Sequence, residues 1–470
     1  MTTINRPESL EYGFGQANIK AGSRIKVSET ILILFIALSF FQNIISLVVF
    51  NVLPELSLPV VGLKDALLLV GIAYLSARNF IKGRLDRLQI TYISILVLLL
   101  GLWVVEGATD LTAFRTVASP VILILFGFLC APYIRVAHVV KWTLYLFAVV
   151  VFLALVERFL LYDSQESFWR WMRLSDYILF KDPYKTIDQI RGVPGVTPAN
   201  FYTSDFRGLD GLTSFRPRRL ITLTMIDALL FAHGFVFVCA YQLGRGRWLR
   251  FLFSSVVMLL TLAKGGMLAL YLAGGLVLAK KAKSRTVVRL FQVGILLSVA
   301  VWIGASFSLI KSPSMIKHVE GFTSGMTSLV SAPLGQGIGS GGNHAARKLL
   351  AEGDSTEDET LGNESFIGSS LVQIGFFTVI IFGHLILIAW RLYKSDDRLL
   401  EATGAALLGT IVAAFLSESA ISYTGTGFIF IIAGAMYSQQ FGRSRKLPPS
   451  PSRRRILAPQ QSPAEPVASG

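Results

Sequence analysis

Apolar runs long enough to cross a bilayer recur along this chain, separated by polar connectors, and the pattern predicts twelve helical spans. They fall near residues 30–50, 59–77, 89–105, 112–131, 140–161, 220–242, 248–263, 266–279, 290–310, 366–390, 401–417 and 424–441. Every second connector is basic. Arg78, Lys82, Arg84 and Arg87 follow the second run, Arg135 and Lys141 the fourth, and Arg245, Arg247 and Arg250 the sixth. Lys280, Lys281, Lys283, Arg285 and Arg289 follow the eighth, Arg391, Lys394 and Arg398 the tenth, and a basic tail the last. More than half of the 44 Lys and Arg residues lie on that side, which the positive-inside rule assigns to the cytoplasm together with both termini.

Composition agrees with the pattern. A 470-residue chain that is 53% hydrophobic and 16% charged has too much apolar surface for a soluble protein. The expected class is an all-α polytopic membrane protein. A net charge of +15 would suggest nucleic acid in a soluble protein. Here the excess sits in short connectors beside an anionic leaflet, so no nucleic acid is expected. Cys130 and Cys239 both lie inside apolar runs, which gives neither a disulfide framework nor a thiolate metal site. Residues 1–29 read as a cytoplasmic segment before an uncleaved first span, and 442–470, rich in Pro, Ser, Arg and Gln, as a disordered basic cytoplasmic tail. Between them, 30–441 form the transmembrane domain.

Two loops on the other side, 163–219 and 311–364, far exceed ordinary helix connections. The first is rich in aromatic residues. Its stretch SFWRWMRLSDYILF (167–180) reads as an amphipathic interfacial helix or as a packing helix without contact to a ligand.

Ionisable residues inside spans are costly and mark candidate sites. Lys64, Asp65, Arg115, Glu157, Arg158 and Lys264 all fall within about two helical turns of the non-cytoplasmic face. Asp65 and Arg115 are equally readable as an ion pair that staples two helices. The segment GLTSFRPRRL (211–220) places Arg216, Arg218 and Arg219 before the sixth span, on the side where cations are rare. Guanidinium forks match phosphate oxygens, which suggests a pyrophosphate cradle; snorkelling to headgroups is the plainer alternative. In PLGQGIGSGGNHAARK (333–348), Gly335, Gly337 and Gly339 allow close backbone approach to an anion, with His344, Arg347 and Lys348 following. No Gly-Lys-Ser/Thr completes a nucleotide loop there. Glu364, at the mouth of the tenth span, is a candidate general base or simply a residue favoured by a helix N-terminus. His344 shares the catalytic candidacy. No metal-ligand spacing appears, and neither a metal nor a cofactor is expected.

Twelve spans with two large outer loops resemble the O-antigen polymerase and O-antigen ligase superfamily of envelope polysaccharide enzymes. SFRPRRLI resembles the family's arginine before span six, LTLAKGGMLALYLAG (260–274) its "SRG/A" segment, and PLGQGIGSGG its glycine-rich turn. NESFIGSSLVQIGFFTV resembles its "H/E-N/S…L…G" motif at the following span. Lys264 stands where ligases have arginine and Glu364 where they commonly have histidine, which favours a polymerase. The resemblance implies a GT-C-like, inverting, metal-independent glycosyltransferase acting at the periplasmic face. It would join oligosaccharide repeat units carried on undecaprenyl pyrophosphate into an O-antigen, capsular or exopolysaccharide chain. A chain-length regulator is an implied partner. Alternative expectations are an O-antigen ligase, a polysaccharide or lipid transporter or flippase, and a non-catalytic scaffold.

Overall fold

A computed structural model describes residues 27–105, 111–160, 167–168, 171–181, 228–260, 264–281, 286, 293–294, 313–342, 365–415, 421 and 427–442. Among them every regular element is helical. The helices are α1 (Val27–Val52), α2 (Pro54–Ile81), α3 (Arg87–Val105), α4 (Leu111–Cys130), α5 (Val136–Phe159), α6 (Leu174–Lys181) and α7 (Ala228–Gly244). They continue with α8 (Trp248–Leu260), α9 (Lys264–Lys281), α10 (Pro313–Ser331), α11 (Phe366–Ile374), α12 (Phe376–Lys394), α13 (Arg398–Ala413) and α14 (Gly427–Phe441). Six of these, α1 to α5 and α12, are long and apolar enough to cross a membrane. Together they make the chain a multi-pass helical membrane protein. The expected ninth span, the N-terminal segment up to residue 26 and the tail beyond residue 442 lie outside the described residues, apart from residues 293–294.

Apolar lipid removes the usual drive to bury hydrophobic surface, so helix association rests on close packing, and small residues mark where helices touch. α4 and α14 form the centre. A Cβ on Gly127 would lie 2.2 Å from Ile431 O, and one on Gly434 would lie 2.4 Å from Ile124 O. Only hydrogen fits at either position. Around this contact, Phe40 meets Phe147 at 4.9 Å, Phe147 meets Phe428 at 5.4 Å, and Phe428 meets Phe237 at 5.9 Å. These rings join α1, α5, α14 and α7 edge to face, the arrangement that aromatic quadrupoles favour. α13 packs between α7, α9 and α12, against the outer side of α14.

The cation-rich connectors gather at one end. Asn79 Nδ2 donates to Leu129 O and its Oδ1 accepts from Tyr133 Oη at 2.7 Å, tying the α2–α3 turn to the α4–α5 turn. Gln439 Nε2 donates to Ala131 O and Ile134 O, bringing in the end of α14, and Arg391 donates to Tyr437 Oη, adding α12. Glu29, fully buried, accepts from both the backbone and the guanidinium of Arg135, fixing the start of α1 to the start of α5.

Four elements differ from the sequence reading. The expected connector 51–58 is reduced to Leu53, because Pro54 suits a helix start and Pro59 is carried inside α2. The 167–180 stretch is interrupted at Met172 and Arg173. Arg173 adopts a positive φ of 51°, α6 starts at Leu174, and Leu174 and Tyr177 are buried against Leu47 and Phe50 of α1. Asn51 Nδ2 donates to Met172 O at 2.8 Å, which completes a packing helix docked on the end of α1. The third difference is α10, inside the loop read as 311–364. Its amphipathic spacing is too polar to register as a span. The tenth span, read as one helix over 366–390, is broken into α11 and α12 at Gly375.

Candidate functional site

That break organises the opposite end of the bundle. In a continuous helix, Val372 O and Gln373 O would accept from the N–H groups of residues 376 and 377. Gly375 instead has φ 53° and ψ −130°, which turns the chain and frees those acceptors. The glycine-rich turn takes them over. Gln336 N donates to Val372 O at 2.8 Å and Gly337 N to Gln373 O at 3.2 Å, while Phe376 N donates back to Pro333 O at 2.8 Å. Irregular backbone at membrane depth persists only where protein satisfies it in this way. The approach is tight enough that a Cβ on Gly375 would meet Pro333 O at 2.1 Å.

Gln373 ties the turn from within. Its Oε1 accepts from Gly339 N at 2.8 Å, and its Nε2 donates to Ser369 Oγ at 2.9 Å and to Gly341 O at 3.3 Å. Gly335 N donates to Ala332 O at 2.9 Å. The N–H groups of Gly335, Gly337 and Gly339 are thus directed at protein acceptors, and the turn works as a splice for the broken helix. We predict that Gln373→Leu, which leaves Gly339 N and Gly341 O without these partners, costs about 2 kcal/mol or more and lowers the melting temperature of the purified protein.

The platform beneath the turn is made by α10 and α11. A Cβ on Gly325 would lie 2.6 Å from Gly368 Cα, and one on Gly368 would lie 2.2 Å from Gly321 O. Ser365 caps α11 by accepting from Gly368 N at 3.0 Å and fastens it to α13 by donating to Phe415 O at 2.8 Å. Phe322 of α10 packs on Phe415 with ring centroids 5.2 Å apart.

Of the expected site residues, the structure sets Gly339 of the glycine-rich turn against the start of α4 and pairs Arg115 of α4 with Asp65 of α2. A Cβ on Gly339 would stand 3.8 Å from the Ala113 side chain, two residues before Arg115 in the first turn of α4. Arg115 Nη1 donates to Asp65 Oδ2 at 2.8 Å, so the expected ion pair exists. Its side chains are 36% and 24% exposed. Asp65 lies about three turns into α2, deeper than the two turns expected, because α2 starts at Pro54 rather than near residue 59. Asp65 Oδ1 is buried and has no hydrogen-bond partner among the described residues. Lys64, next to it, is buried.

Lys264 begins α9, whose Ala269 packs on Gly409 of α13. At 1.5 Å per residue along these antiparallel helices, the start of α9 sits level with Ala414 and Phe415, beside the cap of α11. The side chains of Lys264, Glu157 and Arg158 lie outside what is described, though all three backbones end or begin helices. Arg216, Arg218, Arg219, His344, Arg347, Lys348 and Glu364 also lie outside the described residues. Glu364 immediately precedes the Ser365 cap, and His344 follows the turn by two residues from Gly342.

Sequence reasoning missed Gln373 and the α10 platform. The second carried a signal: Gly321 and Gly325 form a GxxxG pair, with Ser328 one turn on, all buried on the face toward α11. Gln373 gave none, because a lone glutamine in an apolar run says nothing about the helix break beside it. The chain matches no family model, no curated protein and no solved structure.

Proposed function

We propose that this protein is a polysaccharide polymerase with about twelve spans and a GT-C-like outward-facing site. It joins polyprenyl-pyrophosphate-linked oligosaccharide units by inverting, metal-independent glycosyl transfer. The observation that carries this reading is the Arg115–Asp65 pair, whose Asp65 Oδ1 is buried with no hydrogen-bond partner among the described residues, in the halves of α2 and α4 away from the basic connectors. A transporter needs a midplane site reachable from both sides, whereas an enzyme acting on an exported lipid-linked substrate needs one at this level.

In the proposed reaction a hydroxyl of the acceptor sugar attacks the anomeric carbon of the donor. The bond from that carbon to the pyrophosphate oxygen breaks with inversion, and the hydroxyl proton passes to a carboxylate or imidazole. Glu364 and His344 are the candidates for that base, and Asp65 Oδ1 adds a buried acceptor beside the cations. The leaving pyrophosphate carries its charge away from the sugar. Arg115, Lys264, Arg216, Arg218 and Arg219, with Arg347 and Lys348 after the turn, would hold that charge by preorganised hydrogen bonds. The N–H groups of Gly335, Gly337 and Gly339 already have protein acceptors, so the glycine-rich turn supports the fold rather than contacting phosphate.

The test is the lipid-linked oligosaccharide profile of the native host after deletion of the gene. A polymerase predicts that single repeat units accumulate on the lipid and polymer is lost. Long lipid-linked polymer in that strain would identify a ligase instead, and an unchanged profile would remove both readings.

A further inference from the structure

We propose that the cleft between the ends of α7, α9 and α13 binds the phosphate group of an anionic phospholipid. This site lies at the basic end, opposite Arg115 and Asp65, and is independent of the glycosyl-transfer reading.

The cleft holds about 350 Å³ and is lined by Arg245, Lys280, Lys281 and Arg398, with Asp396, Glu401 and the Gly244–Gly246 turn. Four cations face two carboxylates, so the lining keeps an excess of positive charge even with both carboxylates ionised. Glu401 Oε2 stands 3.8 Å from Lys280 Nζ and offsets that cation. Lys281, Arg245 and Arg398 remain the groups best placed for an anion.

Three of these cations, Lys280, Lys281 and Arg245, are held in place before any ligand arrives. Lys280 Nζ donates to Tyr393 O at 3.2 Å and to Ser395 O, at the end of α12. Lys281 Nζ donates to Leu243 O at 2.6 Å, at the end of α7, which uses one of the three donors of an ammonium group. Arg245 lies over the Tyr241 ring, 5.3 Å from its centroid, and donates through Nη1 to Tyr241 Oη at 2.9 Å. That bond uses one of the five N–H donors of the guanidinium. A flexible surface lysine loses rotamer freedom when it binds an anion; side chains already fixed by carbonyls and an aromatic ring lose less.

The surroundings select a lipid. Gly246, with φ 69°, turns the chain directly from the cleft into α8, whose Leu249, Leu252 and Phe253 are 84%, 55% and 56% exposed. An acyl chain can lie along that face while its headgroup reaches the cleft. Trp248 and Trp390 flank the same level, the second beneath Lys394 Nζ at 4.9 Å, as aromatic residues do at a membrane interface. A soluble phosphate would gain the charge contacts but not this apolar face.

The test uses native mass spectrometry of the purified full-length protein titrated with phosphatidylglycerol or phosphatidylcholine, alongside its R245Q/R398Q variant. We expect wild type to retain phosphatidylglycerol in preference to phosphatidylcholine, and the variant to lose about thirtyfold in phosphatidylglycerol binding, as expected for removing two interfacial cations. R245K/R398K, which keeps both charges, should recover most of the binding. If R245Q/R398Q elutes as aggregate, the same comparison is made with R398Q alone, whose residue makes no cap or core contact. Equal retention of both lipids by wild type, or undiminished phosphatidylglycerol binding by the neutral variant, overturns the site. Displacement of the lipid by an equal concentration of glycerol phosphate also overturns it, by showing that the cleft takes phosphate without the apolar part.

Discussion

Replacing Gly434 with leucine should leave almost no folded protein, whereas the same replacement at Gly383 should be tolerated. Gly434 faces α4 so closely that even a methyl group would meet Ile124 O at 2.4 Å and Gly127 Cα at 3.3 Å. The obstacle is backbone on a helix that is itself nearly enclosed, since 89% of the apolar window of α4 is buried. Neither side can give way by a rotamer change. Ordinary overpacking in a core costs about 1–3 kcal/mol because side chains and backbone share the adjustment. Here leucine would have to separate α4 from α14, which removes the packing on which association in lipid depends. The expected cost therefore exceeds about 3 kcal/mol, a large part of a typical total stability of about 5–15 kcal/mol. Gly383 lies exposed on α12 with nothing among the described residues within 4 Å of its added Cβ, so leucine there joins the exposed apolar surface. Size-exclusion profiles of the two variants after detergent extraction check the pair. A monodisperse Gly434→Leu protein would show that α4 and α14 do not touch as described.

The same contrast explains what was readable in advance. α1 to α5 were legible because hydropathy depends on composition alone, and each carries a mainly apolar window long enough to span a membrane. Their ends were less so: Pro54 and Pro59 lie only five residues apart and either suits the start of a helix, while Ser46 Oγ of α1 donates to Ser57 O at 2.8 Å and ties the first turn of α2 to α1. The helix break at Gly375 was hidden for a stronger reason. Glycine inside an apolar run is compatible with a membrane helix, and the break is stable only because Pro333, Gln336 and Gly337, nearly forty residues earlier in the chain, exchange hydrogen bonds with it. Tertiary partners decided that local conformation. The glycine-rich turn was visible as a motif, but its repeated glycines served the close approach of one backbone to another, which sequence does not distinguish from approach to a ligand. Of the candidate site, the pairing of Asp65 with Arg115 was readable as one of two alternatives, because opposite charges in apolar spans tend to find each other.

Docking of α6 on α1 shows the same rule at smaller scale. The alternation of aromatic and charged residues over 167–180 suits a membrane surface, yet Tyr177 is enclosed, with its ring 5.7 Å from that of Phe50. Burial pushes its phenol above the usual range. An interfacial tyrosine would keep its hydroxyl in water, so the packing reading is the one the structure takes.

Arg115→Ala should abolish polymer formation, and exchanging the two charges by D65R/R115D should fail to restore it. If the pair served only as a staple between α2 and α4, a reversed pair would satisfy it equally well, and activity would return with stability. The pair is too exposed for that to be its main value. Ion pairs with this much solvent contact contribute about 0–1 kcal/mol, so its loss should lower the melting temperature only slightly. A guanidinium that meets pyrophosphate, by contrast, depends on position as well as sign: at residue 65 it would sit on the neighbouring helix, displaced from where α4 holds it. Electrostatic groups aimed at a developing charge contribute about 3–4 kcal/mol when removed singly, or two to three orders of magnitude in rate. The measurement is polymer length in a deletion strain complemented with each variant, read together with the melting temperature of each purified protein. Polymer lost with stability kept assigns Arg115 to the reaction. Activity restored by the exchange assigns it to the scaffold, and would leave the arginines at 216, 218 and 219 to carry the leaving-group charge.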